Sequence, residues 1–73
     1  MNLYTVYNSP SDYPDKFVVR RFEIVPPKNE PVAKNVVIIG NDLEEIRGAL
    51  RQMGLFPIPR DETDDIKIIE TWV

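Results

Sequence analysis

Apolar residues along the chain fall into four segments, and polar or proline-rich stretches separate these segments. The first segment, Leu3 to Tyr7, is dense in β-branched and aromatic residues, a composition typical of β-strands. The second runs from Phe17 to Val25, and the third from Val36 to Ile39. The fourth, Ile66 to Val73, carries the only tryptophan of the chain. The pattern therefore predicts four β-strands.

The connection between the third and fourth strands has the period of a helix, because apolar residues recur there at spacings of three and four positions. Asp42 followed by Glu45 is the pattern of a capping box, in which side chains bond the free amides of the first helical turn. Gly54 ends the predicted helix. The apolar stripe consists of Leu43, Ile46, Leu50 and Met53.

The predicted fold class is α+β, with the element order β-β-β-α-β in a single domain of residues 1–73. Three successive strands with short connections favour antiparallel pairing. We therefore expect a four-stranded, mainly antiparallel sheet with one helix packed on one face. The segment Leu55 to Pro59 contains two prolines, which exclude it from a central strand, and we interpret it as a packed loop.

The second strand places arginines among its apolar residues, and its pattern has two readings. A β-bulge at Arg20 and Arg21 would turn both arginines towards solvent, whereas an unbroken ladder would place them on opposite faces. We take the bulge as the hypothesis. Without it, one face would hold Val18, Arg20, Phe22 and Ile24, and the other Phe17, Val19, Arg21 and Glu23.

The third segment, Val36 to Ile39, is apolar without alternation, which is typical of a strand covered on both faces. We expect this strand to be central or to lie in an interface. A four-stranded sheet is about 19 Å wide and one helix about 10 Å, so a single helix cannot cover both faces. The apolar character of this segment and of the last strand favours a homodimer, formed through the sheet face or the last strand.

The composition excludes several chemistries. The chain has 73 residues and contains neither cysteine nor histidine, so disulfides, the usual structural zinc sites, thiol catalysis and the commonest general base are absent. We expect no enzyme, no catalytic residue, no metal site and no cofactor. The net charge of −3 disfavours nucleic-acid binding. No apolar stretch approaches the roughly 18 residues of a membrane span, so we expect no membrane partner and a cytoplasmic protein.

Two charged segments are candidate binding sites. Asp61 to Asp65 holds four carboxylates that could bind a cation, although their spacing fits no EF-hand and a solvated turn is the simpler interpretation. Arg20 and Arg21, beside Phe22, combine cations with an aromatic ring, as nucleic-acid surfaces do. The residues that we expect at an interaction surface are Arg20, Arg21, Phe22 and Trp72.

Four motifs, YPDKFVVRRF from Tyr13, LEEIR from Leu43, RDETDD from Arg60 and IETWV from Ile69, together resemble short bacterial and phage-borne proteins without an assigned function. The resemblance implies a complete, stand-alone protein and an accessory role for a phage or mobile element. We therefore expect a non-enzymatic interaction module that acts on a protein partner, which includes a second copy of itself. The alternative is a nucleic-acid-associated protein that uses Arg20 and Arg21.

Overall fold

The structure, a computed structural model, describes residues 1–28, 30–58 and 67–73. Within these ranges it has five strands and one helix, which confirms the predicted α+β class and the single helix. The sheet is antiparallel throughout, as predicted, but it has one strand more than expected. The elements are β1 (Asn2–Asn8), β2 (Phe17–Val25), β3 (Glu30–Gly40), α1 (Leu43–Gln52), β4 (Pro57–Ile58) and β5 (Ile68–Trp72).

The strand order across the sheet is β3-β2-β1-β5-β4. The additional strand, β4, lies in the segment that was predicted to be a packed loop. Pro57 pairs with Trp72 and Ile58 with Thr71, so β4 is a two-residue strand at the edge of the sheet. This position agrees with the exclusion of proline from central strands. A strand this short leaves no periodic signal in the sequence.

β3 lies at the opposite edge, so of the two predicted positions the central one is wrong, while a position in an interface stays a prediction. Val37 is 37% exposed and Ile39 is 46% exposed. A continuous apolar run marks a strand that is apolar on both sides, but it does not show whether neighbouring strands flank it. Here β3 follows β2 through a short connection and pairs with β2 alone among the described strands.

The predicted bulge at Arg20 and Arg21 is also wrong. β2 pairs with β1 without a register shift, so its residues alternate strictly between the two faces. The ladder between β2 and β3 does shift twice around Arg20, but the extra residue lies in β3 each time. Arg20 and Arg21 therefore point to opposite faces of the sheet.

α1 packs against one face of the sheet, which we call the helix face. Its N-cap is Asp42, as predicted, and Asp42 Oδ1 accepts a hydrogen bond of 3.0 Å from the amide of Glu44. The helix is followed by Gly54, whose φ of 80° suits glycine. At ten residues, α1 is too short to cross a bilayer, and no helix in the described ranges meets that requirement. The core lies between α1 and the sheet. It consists of side chains from both, namely Val6, Val19, Ile46, Leu50 and Trp72.

Deleting Trp72 and Val73 is expected to abolish cooperative unfolding. Trp72 is 1% exposed and belongs to the core, and Val73 exchanges backbone hydrogen bonds of 2.8 and 2.9 Å with Phe56. Losing the indole alone costs on the order of 3 kcal/mol, which is a large part of the stability of a small domain. Thermal unfolding followed by circular dichroism measures the effect. A truncated chain that melts cooperatively near the full-length temperature would contradict the assigned core.

Candidate functional site

The face of the sheet opposite α1, which we call the open face, carries apolar side chains that no described helix covers. β1 shows which side chains belong to the open face. Val6 lies in the core under α1, and since side chains alternate along a strand, the neighbours of Val6 in β1 point away from the helix. These side chains surround a hollow of about 270 Å³. The hollow is lined by Leu3, Tyr7, Phe22, Pro31, Ile68 and Thr71, among others.

One end of the open face is closed by the loop between β1 and β2. Val18 is only 1% exposed, although it points away from α1. Residues of the loop line a hollow together with Val18, and Asp12 in this loop forms an ion pair of 3.1 Å with Arg20. The backbone adopts positive φ angles at Ser9 and Asp15, at 53° and 63°, near the two ends of the loop. The remaining part of the open face is the hollow beside Phe22.

The structure does not bring the four expected surface residues together. Arg20 and Phe22 lie on the open face, whereas Arg21 points to the helix face. There Arg21 donates hydrogen bonds of 3.2 Å to Asn2 and 3.3 Å to Asn35. Trp72 lies in the core and is nearly inaccessible. A shared basic surface of Arg20 and Arg21 is therefore absent from the structure.

A second concave region, which we call the helix–strand cleft, lies on the helix face. α1 sits closest to β3 and β2 and leaves part of β5 and β4 uncovered. The uncovered part forms a cleft of about 390 Å³. Among the described residues, the cleft is lined by Arg47, Arg51, Pro57, Ile58, Ile69, Glu70 and Trp72.

Glu70 is the central polar group of this cleft and is 9% exposed. Its Oε1 accepts hydrogen bonds from Arg47 Nε at 3.0 Å and Arg47 Nη2 at 2.7 Å. Its Oε2 accepts from the indole Nε1 of Trp72 at 2.5 Å. Arg47 Nη1 also donates to Glu44 at 2.9 Å. The carboxylate of Glu70 thus links α1 to the tryptophan of the core. Each of the three guanidinium nitrogens of Arg47 donates a hydrogen bond to a carboxylate.

These carboxylates also stabilise the charge on Arg47. Hydrogen bonding to Glu70, followed by that to Glu44, raises the pKa of Arg47 above its usual value, while burial opposes the rise. The stabilisation persists at every pH below the ordinary guanidinium pKa and would be lost only as the pH rises through the raised one. Arg47 is therefore a permanent cation, and its bond to Glu70 does not depend on its own titration near neutral pH.

Arg51 differs from Arg47 in having no carboxylate partner among the described residues. Its guanidinium carbon lies 5.8 Å from the centroid of the Trp72 ring, within reach of a cation–π interaction. Within the described part of the chain, its side chain forms no hydrogen bond or ion pair. The sequence pattern does not predict this arrangement, because Arg47 and Arg51 lie off the apolar stripe of the helix and carry no signal of their own. The one local signal was a glutamate two residues before the tryptophan in an apolar strand.

The acidic segment Asp61 to Asp65, considered above for cation binding, lies outside the described residues. In the ranges that are described, no group of three or more acidic side chains is placed to hold a metal ion. Comparison of the chain with models of protein families, with curated proteins and with solved structures found no match.

Replacing Glu70 by glutamine is expected to destabilise the fold by about 1–3 kcal/mol. An amide offers one acceptor oxygen, so either Arg47 or Trp72 loses its acceptor, and the ion pair is lost. Glu44→Gln is the matched control, because Glu44 binds the same arginine with a side chain that is 70% exposed. This control should change stability by less than about 0.5 kcal/mol. Urea unfolding measures both, and equal effects would contradict a structural role for Glu70.

Proposed function

We propose that this chain is a non-enzymatic protein-interaction module that binds through its open face, and that its partner is a second copy of the chain. The observation that supports the proposal is the hollow of about 270 Å³ on a sheet face that α1 does not cover. Leu3, Phe22 and Ile68 contribute apolar side chains to it. Burying such a surface against another apolar surface is favourable, because it removes apolar area from water.

The small core favours a second copy as the partner. Among the described residues, only six apolar side chains are fully buried: Val6, Val18, Val19, Ile46, Leu50 and Trp72. Chains of this size bury a smaller fraction of their surface than larger domains and gain stability from association. A two-fold interface buries the same apolar patch twice, and two antiparallel sheets pack face to face at about 10 Å.

The edges of the sheet are less suited to association than its open face. β3 carries Pro31, Lys34 and two irregularities in its pairing, all of which hinder the addition of another strand. β4 is two residues long and begins with Pro57, which has no amide hydrogen to donate. The last strand, β5, lies between β1 and β4 and is not an edge. Pairing through the last strand is therefore less favourable than packing of the faces.

We extend the proposal to an accessory role for a phage or mobile element, which rests on the sequence resemblance alone. The non-enzymatic character rests on composition: without histidine or cysteine, the chain lacks the residues most often used as general base or nucleophile near neutral pH.

Phe22→Thr is expected to weaken self-association roughly tenfold, because a large apolar side chain leaves the interface of both copies. Threonine retains a preference for strands and should leave β2 intact. The matched control is Phe56→Thr, because Phe56 is 73% exposed and does not line the hollow. Sedimentation equilibrium over a concentration series measures the dissociation constant of each variant.

The wild-type chain should form a dimer that resists added salt, since apolar association does not depend on screened charges. The Phe56 variant should dimerise like the wild type. A wild type that stays monomeric at high concentration, or equal weakening by both substitutions, would contradict the proposed surface. Thermal unfolding of each variant confirms that the compared proteins are folded.

The structure gives the nucleic-acid alternative little support, because Arg20 and Arg21 lie on opposite faces and both are bound to side chains of the protein. We expect a fluorescently labelled single-stranded oligonucleotide to show no change in anisotropy with this protein, even at low salt, where phosphate binding is strongest. Binding that falls steeply with salt and disappears in Arg20→Ala would contradict the proposal and restore the alternative.

A further inference from the structure

Within the described residues, the helix–strand cleft contains one positive charge, that of Arg51, for which no acidic partner is found. Arg47 is balanced by Glu70 and Glu44, and the oxygens of Glu70 are occupied by Arg47 and Trp72. Arg51 lines the same cleft without a described hydrogen-bond or ion-pair partner. A guanidinium presents its donors in a planar fork that fits a carboxylate through two parallel hydrogen bonds.

The rest of the cleft is mainly apolar. Ile58 and Ile69 line the cleft together with the arginines, and Pro57 precedes Ile58 in β4. The volume of about 390 Å³ falls in the range of clefts that hold small ligands. Ile58 is 42% exposed, so apolar surface remains for a ligand to cover. In the part of the chain that the structure describes, the cleft thus combines a cation that lacks an acidic partner with an apolar wall, an arrangement that recognises an anion with an apolar body.

We propose that the helix–strand cleft binds a monocarboxylate with a compact apolar body, its carboxylate on Arg51 and its apolar part against Ile58 and Ile69. This site is on the helix face and is independent of the proposed dimer surface. The shared chemistry fits a free branched-chain or aromatic acid as well as the C-terminal carboxylate of a peptide that ends in an apolar residue.

The charges that the described residues place in the cleft favour a monoanion. Arg51 repels cations, so the cleft does not suit an amine or a metal ion. A phosphate monoester, with its second negative charge, would face Glu70, whose hydrogen bonds are already satisfied. A monocarboxylate neutralises Arg51 and leaves the bonds of Glu70 unchanged.

Trp72 is the only tryptophan of the chain, and its ring centroid lies 5.8 Å from the guanidinium carbon of Arg51, so its fluorescence reports a ligand that binds Arg51. The full chain is titrated with 4-methylpentanoate and, separately, with the neutral 4-methylpentanamide, which has the same apolar body. A second pair of probes is the dipeptide N-acetyl-alanyl-leucine with a free carboxylate and the same dipeptide with a C-terminal amide. Amide chemical shifts of α1, β4 and β5 locate the binding. Both acids should bind and both amides should not.

The acid that binds more tightly indicates whether the natural ligand is a free acid, represented by 4-methylpentanoate, or the C-terminus of a peptide, represented by the dipeptide. Either result supports the proposed site. Arg51→Gln should weaken binding of the acids roughly tenfold or more, because a charge-assisted pair is lost. Arg51→Lys should restore part of the affinity. Arg21→Gln is the control, since Arg21 is a helix-face arginine outside the cleft lining, and it should bind as the wild type does.

The proposal is overturned if neither acid shifts the fluorescence or the amide signals at tens of millimolar, or if acid and amide bind equally. It is also overturned if Arg51→Gln binds the acids as tightly as Arg21→Gln does. Arg51 is exposed and lies at the end of α1, so Arg51→Gln and Arg51→Lys are both expected to fold. Dimerisation of the wild type is measured separately, so the failure of one proposal does not affect the other.

Discussion

The structure depends on one geometric constraint: a single ten-residue helix packs on a sheet of five strands. Five strands span about 24 Å, whereas one helix covers about 10 Å. α1 therefore buries only part of the helix face and none of the open face. The two concave regions, the hollow beside Phe22 and the helix–strand cleft, are both places that the helix does not reach. The positions of both concave regions therefore follow from the small area of the sheet that one helix can cover.

Glu70 determines how the cleft differs from the core next to it. Its carboxylate holds Arg47 on one side and the indole of Trp72 on the other, so the polar atoms at the border of the core are satisfied. Glu70 binds Arg47 and Trp72, and no hydrogen bond joins it to Arg51, which lies one helical turn beyond Arg47. Among the described residues, Arg51 therefore remains a cation without a carboxylate partner in the cleft. The carboxylate of Glu70 therefore takes part both in the stability of the core and in the proposed binding of a ligand in the cleft.

Local signals in the sequence predicted the helix, because Asp42, the apolar stripe and Gly54 act within a few residues of each other. The register of β2 could not be predicted locally, since strict alternation there is fixed by pairing with β1 and the irregularities fall in β3. The bond between Arg47 and Glu70 joins positions 23 residues apart, and no spacing rule reaches that far. For the same reason, the sequence alone does not show that the adjacent arginines lie on opposite faces or that Trp72 is buried.

The most direct test of the account is the solvent accessibility of methyl groups on the open face, measured by NMR with a soluble gadolinium chelate at low and high protein concentration. If a second copy of the chain covers the open face, the methyl signals of Leu3 and Ile68 broaden in dilute protein and are protected in concentrated protein. The methyl of Met53, which is 49% exposed beyond α1, should broaden in both. Protection of Leu3 and Ile68 in dilute monomer, or their broadening at every concentration, would contradict an open face that a second copy covers.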